Sequence, residues 1–157
     1  MSEQVLALDS TDRRILAELQ RDASLTNQEL ARRAHISPAT CLRRVRWLTE
    51  HGAIERQVAL LSPERIGAGL TAIVEVTLDR QDADSLAAFE ARVGAADAVQ
   101  QCYRVSSGPD FVLVVLVADM DAYHALVHTL FTASGNVRNV RAFFSIKRSK
   151  FAPAVRL

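Results

Sequence analysis

Residues 26–52 read TNQELARRAHISPATCLRRVRWLTEHG, a stretch that contains two helix starts in close succession. Thr26 is placed to cap the first helix, and Glu29 completes a capping box with it. Ser37 is placed to cap the second helix, with Pro38 at the first helical position, where no backbone N–H is needed. The stretch therefore predicts two short helices joined by a tight turn.

A further helix is predicted upstream of this pair. Asp9 or Ser10 can cap it, and its apolar stripe consists of Ile15, Leu16 and Leu19. Three short helices with a tight turn between the last two are typical of helix-turn-helix organisation. We therefore predict an N-terminal three-helix (winged) helix-turn-helix domain.

The last of these helices has two different faces, and Gly52 is its predicted end. Placing its residues at about 100° each separates the faces. The face predicted to be buried carries Cys41, Leu42, Val45 and Leu48. The opposite face carries Ala39, Thr40, Arg43 and Trp47. Trp47 is expected to pack against the linker or the second domain, with stacking along a phosphate backbone as the alternative.

After the helices the pattern becomes extended. Residues 54–61 read as a short extended segment and residues 62–69 as a linker with Pro and Gly. Beyond it, periodicity predicts strands at 71–78, 99–106, 111–118 and 137–148, and helices at 84–93 and 121–133. The order β-α-β-β-α-β is ferredoxin-like, so the fold class is α+β. The predicted domains are 1–61 and 70–157, joined by 62–69.

The predicted sheet has two unequal faces. Residues 111–118 are apolar throughout, which is typical of a central strand buried on both faces. Both helices pack on one face of a ferredoxin-like sheet, which leaves the other face uncovered. Since that face also carries apolar groups, we expect a partner to cover it.

Composition and charge restrict the possible functions. The 157 residues include 19 basic and 18 acidic side chains, with a net charge of +1, and 49% are hydrophobic. These values exclude collagen-like and low-complexity chains, and they argue against a bulk polycation. Cys41 and Cys102 are interpreted as reduced, packed thiols. No signal peptide or membrane span is visible, so a cytoplasmic location is expected.

A local basic patch lies within the helix pair. Residues 30–49 contain five arginines and no acid, and the arginines are Arg32, Arg33, Arg43, Arg44 and Arg46. A helix fits the DNA major groove, and Arg can bond a guanine edge through two hydrogen bonds. A charge run alone more often marks a solvated helix face. The three helices and two cap signatures shift our prediction to DNA binding.

No arrangement typical of catalysis or metal binding is readable. His124 and His128 have the i, i+4 spacing of paired metal ligands, but no Glu lies between them. No G-x-S-x-G motif, P-loop or dinucleotide fingerprint occurs. We therefore expect no enzyme activity, no cofactor and no metal.

Residues 106–110, SSGPD, connect two predicted strands and suit a tight turn. One interpretation is a hairpin turn without further function. The alternative is that turn N–H groups hold a carboxylate while Asp110 is free to take an ammonium. An amino acid presents both charges.

At this point the sequence resembles the Lrp/AsnC (feast/famine) transcriptional regulators over nearly its whole length, from about residue 8 to 151. The resemblance rests on LDSTDRRILAELQRDASLTNQELARRAHIS, SPATCLRRVRWLTEHGAI, VALLSPERIG and VQQCYRVSSGPDFVLVVLVADMDAYHAL. It implies a helix-turn-helix domain, a ferredoxin-like domain that binds a small amino acid, and dimers formed through the sheets that commonly assemble into octamers. It also implies double-stranded DNA as partner.

The resemblance also implies site residues. The recognition helix matches residues 37–51, and the expected DNA contacts are Ser37, Pro38, Ala39, Thr40, Arg43, Arg44 and Arg46. The effector site lies between dimers in the family, and the matching positions are Arg104, Ser107, Gly108, Pro109, Asp110, Met120, Ala142, Phe143 and Phe144. Met120 and the two phenylalanines suit an apolar side chain or serve only for packing.

Three departures from the family pattern bear on these expectations. His35 stands where the turn before the recognition helix usually has Gly, and His tolerates a left-handed conformation less well. Ser107 stands where the effector loop usually starts with Gly, and Ala142 replaces a hydroxyl residue common in some members.

The sequence thus predicts a DNA-binding transcriptional regulator whose assembly or operator affinity responds to a small amino acid. The alternative is an effector-independent architectural protein that wraps DNA. An enzyme on the ferredoxin-like domain is a third class, for which no polar catalytic cluster is visible.

Overall fold

A computed structural model describes residues 5–132 and 135–157. The chain divides into two compact units. The helical unit comprises Met1–Leu60 together with Lys150–Leu157, and the sheet unit comprises Leu61–Ser149. Residues 150–157 were assigned above to the C-terminal domain. They group instead with the helical unit, where the Gln20 side chain hydrogen-bonds the main chain of Val155.

The helical unit contains α1 (Ser10–Arg21), α2 (Asn27–Ala34) and α3 (Pro38–Glu50). Each predicted cap forms. Asp9 accepts from the backbone N–H groups of Thr11 and Asp12, Thr26 and Glu29 form a capping box, and Ser37 accepts from Thr40 N–H. These bonds satisfy orphan donors at each helix start, so the local sequence decides where the helices begin.

The core of the helical unit is small and apolar. Its fully buried residues include Ile15, Ala34, Cys41 and Leu48. The prediction that Leu42 is buried was wrong, since its side chain is 52% exposed. An α3 helix of this length offers only a narrow stripe to two short neighbours, and Cys41 and Leu48, with partly buried Val45, fill that stripe.

The sheet unit begins with a 3-10 helix, Pro63–Ile66. It continues with β1 (Leu70–Leu78), α4 (Ala83–Gly94), β2 (Val99–Arg104), β3 (Phe111–Val117), α5 (Met120–Leu130) and β4 (Val137–Phe144). The strands form one antiparallel sheet in the order β2-β3-β1-β4, which confirms the ferredoxin-like prediction.

One face of the sheet is covered by both helices. Ala72, Val74, Val76 and Leu78 alternate along β1 and are fully buried, as predicted. They pack with Phe89 of α4 and with residues of α5 in a single cluster. The strand alternation therefore determines which face meets the helices.

The other face, called here the open face, has no helix on it among the described residues. The prediction that β3 is buried on both sides was wrong, since its residues alternate between buried and half-exposed. The open face carries Ile73, Glu75, Tyr103, Val112, Val114, Leu116, Arg141 and Phe143. Ile73, Tyr103 and Phe143 are exposed, so an apolar surface is left uncovered in the single chain.

Several predicted element ends differ from the structure. The second and fourth strands were predicted to reach residues 106 and 148, but they end at Arg104 and Phe144. Helix α5 begins one residue earlier than predicted and ends at Leu130, and the predicted end at Ala133 lies outside the described residues. The segment 54–61, predicted to be extended, forms neither a strand nor a helix in the structure.

The two cysteines occupy different environments. Cys41 is fully buried, and burial raises the pKa of its thiol. Cys102 is exposed on β2, so the prediction that it is packed was wrong. Both are free thiols. Among the described residues, no helix is long and apolar enough to cross a membrane.

The turn between α2 and α3 depends on His35, which adopts the left-handed conformation at φ 56° and ψ 48°. The side chain is exposed, so its replacement disturbs no packing. A residue with a side chain loses about 1–2 kcal/mol of stability in this left-handed backbone region. Gly avoids that strain, but its larger conformational freedom in the unfolded chain lowers stability by about 0.5–1 kcal/mol. We therefore expect His35→Gly to raise the free energy of unfolding slightly, and His35→Ile to lower it by roughly 1–3 kcal/mol.

Urea denaturation of the three proteins measures this difference. A Gly variant clearly less stable than the parent would contradict the backbone argument.

Candidate functional site

The outer face of α3 presents most of the predicted DNA contacts to solvent. Ser37, Pro38 and Ala39 are exposed at its start, and Thr40 is half-buried. The Ser37 hydroxyl accepts from Thr40 N–H at 3.2 Å and donates to Thr40 Oγ1 at 2.9 Å. Small residues at a helix N-terminus let a phosphate or a base edge approach the helix closely.

Two arginines project from the same helix without an acidic partner. Arg43 and Arg46 are exposed, and no carboxylate among the described residues pairs with either. Both guanidinium groups keep their donors available for a guanine edge or a phosphate.

Arg44 is placed differently from these two. Its Nη1 donates to Asp9 Oδ2 and to Asp12 Oδ1, each at 2.7 Å. Asp12 is 5% exposed and also accepts from the Asp9 main-chain N–H at 3.2 Å. The guanidinium therefore holds α3 against the start of α1. We call this arrangement of Asp9, Asp12 and Arg44 the arginine clamp.

Hydrogen bonds at the start of α1, including one from the arginine clamp, lower the pKa of Asp9. The hydrogen bond from Asp12 N–H, followed by that from Arg44, lowers the pKa of Asp9 from 3.8 to about 2. A lowered folded-state pKa contributes stability that is present above the unfolded value and is lost as the pH falls through the folded value. The clamp is therefore intact at neutral pH and weakens between about pH 4 and pH 2.

A shallow cavity of about 210 Å³ lies beside the arginine clamp and is lined by Asp12, Arg43, Arg44 and Trp47. Trp47 stacks on His51 at the end of α3, with ring centroids 4.5 Å apart. His51 Nδ1 also lies 2.8 Å from the Trp47 carbonyl oxygen. The indole is 36% exposed and packs within its own helix.

The two arginines of α2 contribute little to this face. Arg33 lies 3.4 Å from Glu18 of α1, a partly exposed pair of small energetic value. Arg32 is exposed. Of the five arginines in residues 30–49, Arg32, Arg43 and Arg46 are exposed and have no carboxylate partner among the described residues, and two of these three lie on α3.

In the sheet unit, the loop between β2 and β3 is fixed by Asp110. Its main-chain N–H donates to Val76 O at 2.9 Å, and its carbonyl accepts from Val105 N–H at 3.0 Å. Asp110 Oδ2 accepts from Leu78 N–H at 2.7 Å and from Gln81 Nε2 at 3.3 Å. One interpretation of the sequence left this carboxylate free to bind an ammonium group. In the structure the carboxylate instead anchors the loop to the end of β1.

The rest of this loop is exposed. Ser107 and Gly108 are exposed and Pro109 is half-buried. The positive φ of 87° lies at Gly108, one place after the position where the family pattern has Gly. Arg104, at the end of β2, pairs with Glu90 of α4 at 3.0 Å. The exposed part of the loop thus presents backbone N–H and C=O groups to a ligand, whereas the neighbouring guanidinium of Arg104 is already paired with Glu90.

Three of the remaining predicted effector residues, Met120, Phe143 and Phe144, lie at the opposite end of the sheet. Ala72 of β1 pairs with Phe144, whereas Leu78 of β1 pairs with Val137 and bonds Asp110. Six residues of strand separate these two ends, about 20 Å. The loop at 104–110 and the group around Phe144 therefore do not share a pocket within one chain.

The side chains at this second end of the sheet lie on different faces. Phe144 contacts Tyr123 of α5 edge to face, with ring centroids 5.0 Å apart. Phe143 points to the open face, where the Arg141 guanidinium lies 5.3 Å from its ring centroid. Met120 begins α5 and is 41% exposed. Ala142 pairs with Val74 in the middle of the sheet.

Sequence reasoning missed the arginine clamp and the pairing of Gln20 with Val155. The Asp9–Asp12 capping spacing was readable, but nothing local marks Arg44 as its partner. Among the described residues no group of three or more potential metal ligands occurs. His124 and His128 are both exposed on α5.

Two family models match the chain. Residues 71–155 match the model described as the Lrp/AsnC ligand binding domain. Residues 8–55 match the model described as winged helix-turn-helix DNA-binding. Together the two matches cover both units of the structure.

Individual relatives agree with these models. The chain is 38% identical to the leucine-responsive regulatory protein of Salmonella typhimurium over 143 residues, which is 91% of this chain and 87% of that protein. Among solved structures, a transcriptional regulator of Neisseria meningitidis in complex with L-Met aligns with a TM-score of 0.87 and 33% identity, covering 96% and 97%. An AsnC family regulator of Agrobacterium tumefaciens aligns with a TM-score of 0.88 and 31% identity, covering 95% and 97%.

Two substitutions test the anchoring role of Asp110, one that removes the acceptor oxygens and one that removes only the charge. Asp110→Ala leaves Leu78 N–H without its acceptor, so we expect the free energy of unfolding to fall by about 1–3 kcal/mol. Asp110→Asn keeps an acceptor oxygen, so a loss below about 1 kcal/mol is expected. Thermal and urea unfolding of both variants measure the effect, and equal losses in both would show that charge, not anchoring, matters at this position.

Proposed function

The chain belongs to the Lrp/AsnC family of transcriptional regulators, and from that premise we propose how it contacts DNA, ligand and further copies of itself. The proposal is a homodimeric regulator, assembling further towards an octamer, whose operator affinity or assembly changes when a small amino acid binds. We place it in the cytoplasm, because its target is double-stranded chromosomal DNA.

The DNA contacts are carried by one observation, the exposed face of α3 with two unpaired arginines. Arg43 and Arg46 read base edges or phosphates in this proposal, and the Ser37–Thr40 turn approaches the backbone. Arg44 instead positions the helix, because its Nη1 is bound by two carboxylates. Pro38 and Ala39 provide contact surface that lets the helix enter the groove.

The dimer uses the open face in this proposal. It combines exposed apolar residues with one ion pair, in which Arg141 Nε donates to Glu75 Oε2 at 2.8 Å. Such a face is self-complementary around a two-fold axis, which is the geometry of an isologous interface. A dimer also presents two α3 helices, as a pseudo-palindromic operator requires.

The effector is an amino acid held between copies. Within one chain the loop at 104–110 and the residues Met120, Phe143 and Phe144 lie at opposite ends of the sheet, so a site that uses both sets needs two chains. Two of the relatives named above, the leucine-responsive regulatory protein and the regulator bound to L-Met, support an apolar amino acid for this chain. The exposed Met120 and Phe143 suit such a side chain.

Two other functions fit the structure less well. An architectural DNA-wrapping protein would use the same α3 face but would have no response to amino acids. An enzyme would need a convergent polar cluster, and the relatives whose names state a function are regulators. We therefore propose no catalytic role.

The DNA interface is tested with two arginine variants that remove the same charge. Operator fragments are first selected from genomic DNA with the unaltered protein. Arg43→Ala should then weaken binding by about 1–3 kcal/mol, because a lost guanidinium contact to a base costs that much. Arg65→Ala, in the exposed 3-10 helix, is the matched control and should change affinity little. Fluorescence anisotropy at fixed salt measures both, and equal affinities in the two variants would refute the assignment of Arg43.

The effector proposal is tested by light scattering and thermal unfolding with each of the twenty amino acids. One or a few apolar amino acids should change the molar mass of the assembly and raise Tm, since a ligand of the folded assembly stabilises it. A protein of fixed mass and Tm with all twenty would favour the architectural function. A monomer at micromolar concentration would contradict the dimer.

A further inference from the structure

The C-terminal segment of the chain returns to the helical unit. The chain leaves that unit after Leu60, forms the sheet unit, and re-enters the helical unit at Lys150. One contact of the returning segment is a pair of hydrogen bonds with a side chain of α1. Gln20 Nε2 donates to Val155 O at 3.0 Å, and Val155 N–H donates to Gln20 Oε1 at 2.7 Å. The helical unit is therefore tied to the sheet unit by two covalent connections, not one.

The chemistry of both partners explains this pairing. A residue in extended conformation presents its N–H and C=O on the same side, and an antiparallel strand binds it by exchanging both bonds. The side-chain amide of Gln is an acceptor and a donor side by side, so Gln20 imitates a strand residue. The residue before Pro153 is biased towards extended backbone, and β-branched Val155 favours the same region.

The exposure of the segment favours reversible docking on Gln20. Every residue from 150 to 157 is exposed, and Val155 is 68% exposed. Exposed hydrogen bonds with little buried apolar surface define the low-stability parts of a fold, which open without global unfolding. The segment can therefore dock and release while both units stay folded.

Both ends of the returning segment lead to functional elements. Upstream, residues 145–149 connect it to β4, which carries Ala142, Phe143 and Phe144. Downstream, its docking site is on α1, whose first turn holds the recognition helix through the arginine clamp. While the segment is docked, the chain from the end of β4 to Val155 is connected to α1 through Gln20.

We propose that Gln20 on α1 is a docking site for the C-terminal segment 150–157 of the same chain, and that this docking couples the ligand response of the sheet unit to the DNA-binding unit. The occupant is the chain's own segment 150–157, recognised through the main chain of Val155. The coupling role rests on the proposed function, whereas the docking itself does not.

Amide hydrogen exchange of the full-length protein, followed by NMR at Val155, tests the docking without DNA or ligand. Gln20→Ala should accelerate exchange at Val155 at least roughly fivefold, because the acceptor of that N–H is removed. Gln20→Glu keeps the acceptor and loses the donor, so it should give an intermediate rate. Gln28→Ala removes the same side chain from an exposed site on α2 and should leave the rate unchanged. An unprotected Val155 in the parent, or equal rates in Gln20→Ala and the parent, would overturn the docking.

The coupling is tested by operator affinity of the parent and Gln20→Ala, each with and without the effector amino acid. We expect the variant to bind DNA and ligand as the parent does, but to lose most of the ligand-dependent change in operator affinity. A full response in a variant whose segment is released would overturn the coupling and leave the docking. If the parent binds neither DNA nor any amino acid, the proposed function fails, and the exchange result still decides the docking.

Discussion

The contact of Arg44 with Asp9 and Asp12 is the interaction on which the DNA-facing geometry depends. A single guanidinium nitrogen donates to both carboxylates at 2.7 Å and so joins the start of α1 to the middle of α3. The hydrophobic core of the helical unit is small, with only a few buried residues from each short helix, so a polar contact between α1 and α3 adds to the packing that orients α3. The clamp neutralises one of the three arginines on α3, so the positive field of the helix comes from Arg43 and Arg46. Positioning and recognition are thereby divided between neighbouring residues.

In the sheet unit, the corresponding constraint is that only one face is buried. The alternation in β1 and β3 directs every second side chain to α4 and α5, and the remaining side chains form the open face. A single chain cannot bury both sides of a four-stranded sheet with two helices. The same geometry places the loop at 104–110 and the residues around Phe144 at opposite ends. The proposed dimer and the proposed ligand site between copies therefore both rest on one topology.

Much of this was predictable from the sequence, where the signal is local. Capping residues such as Asp9, Thr26 and Ser37 satisfy donors within three residues, so helix starts can be read directly. The alternation from Ala72 to Leu78 correctly indicated the buried face. The errors concern long-range partners. The exposure of Leu42 depends on how much surface two neighbouring helices cover, and the roles of Arg44 and Asp110 depend on residues more than thirty positions away in sequence. Candidate contacts that a charge pattern suggests can thus be occupied by internal partners.

The separation of ligand and DNA elements into two units restricts how one can influence the other. A ligand changes operator affinity only if it binds the two states of the protein with different free energies. All candidate effector residues lie in the sheet unit. Two routes to α3 are open to the proposed regulator, the relative placement of subunits in an assembly and the covalent connections between the units. In the proposed assembly a ligand would change the spacing of two α3 helices, whereas the connections at residues 61–69 and 145–149 act within each subunit. The pairing of Gln20 with Val155 makes the second of these connections continuous with α1, and the arginine clamp extends it to the helix that contacts DNA.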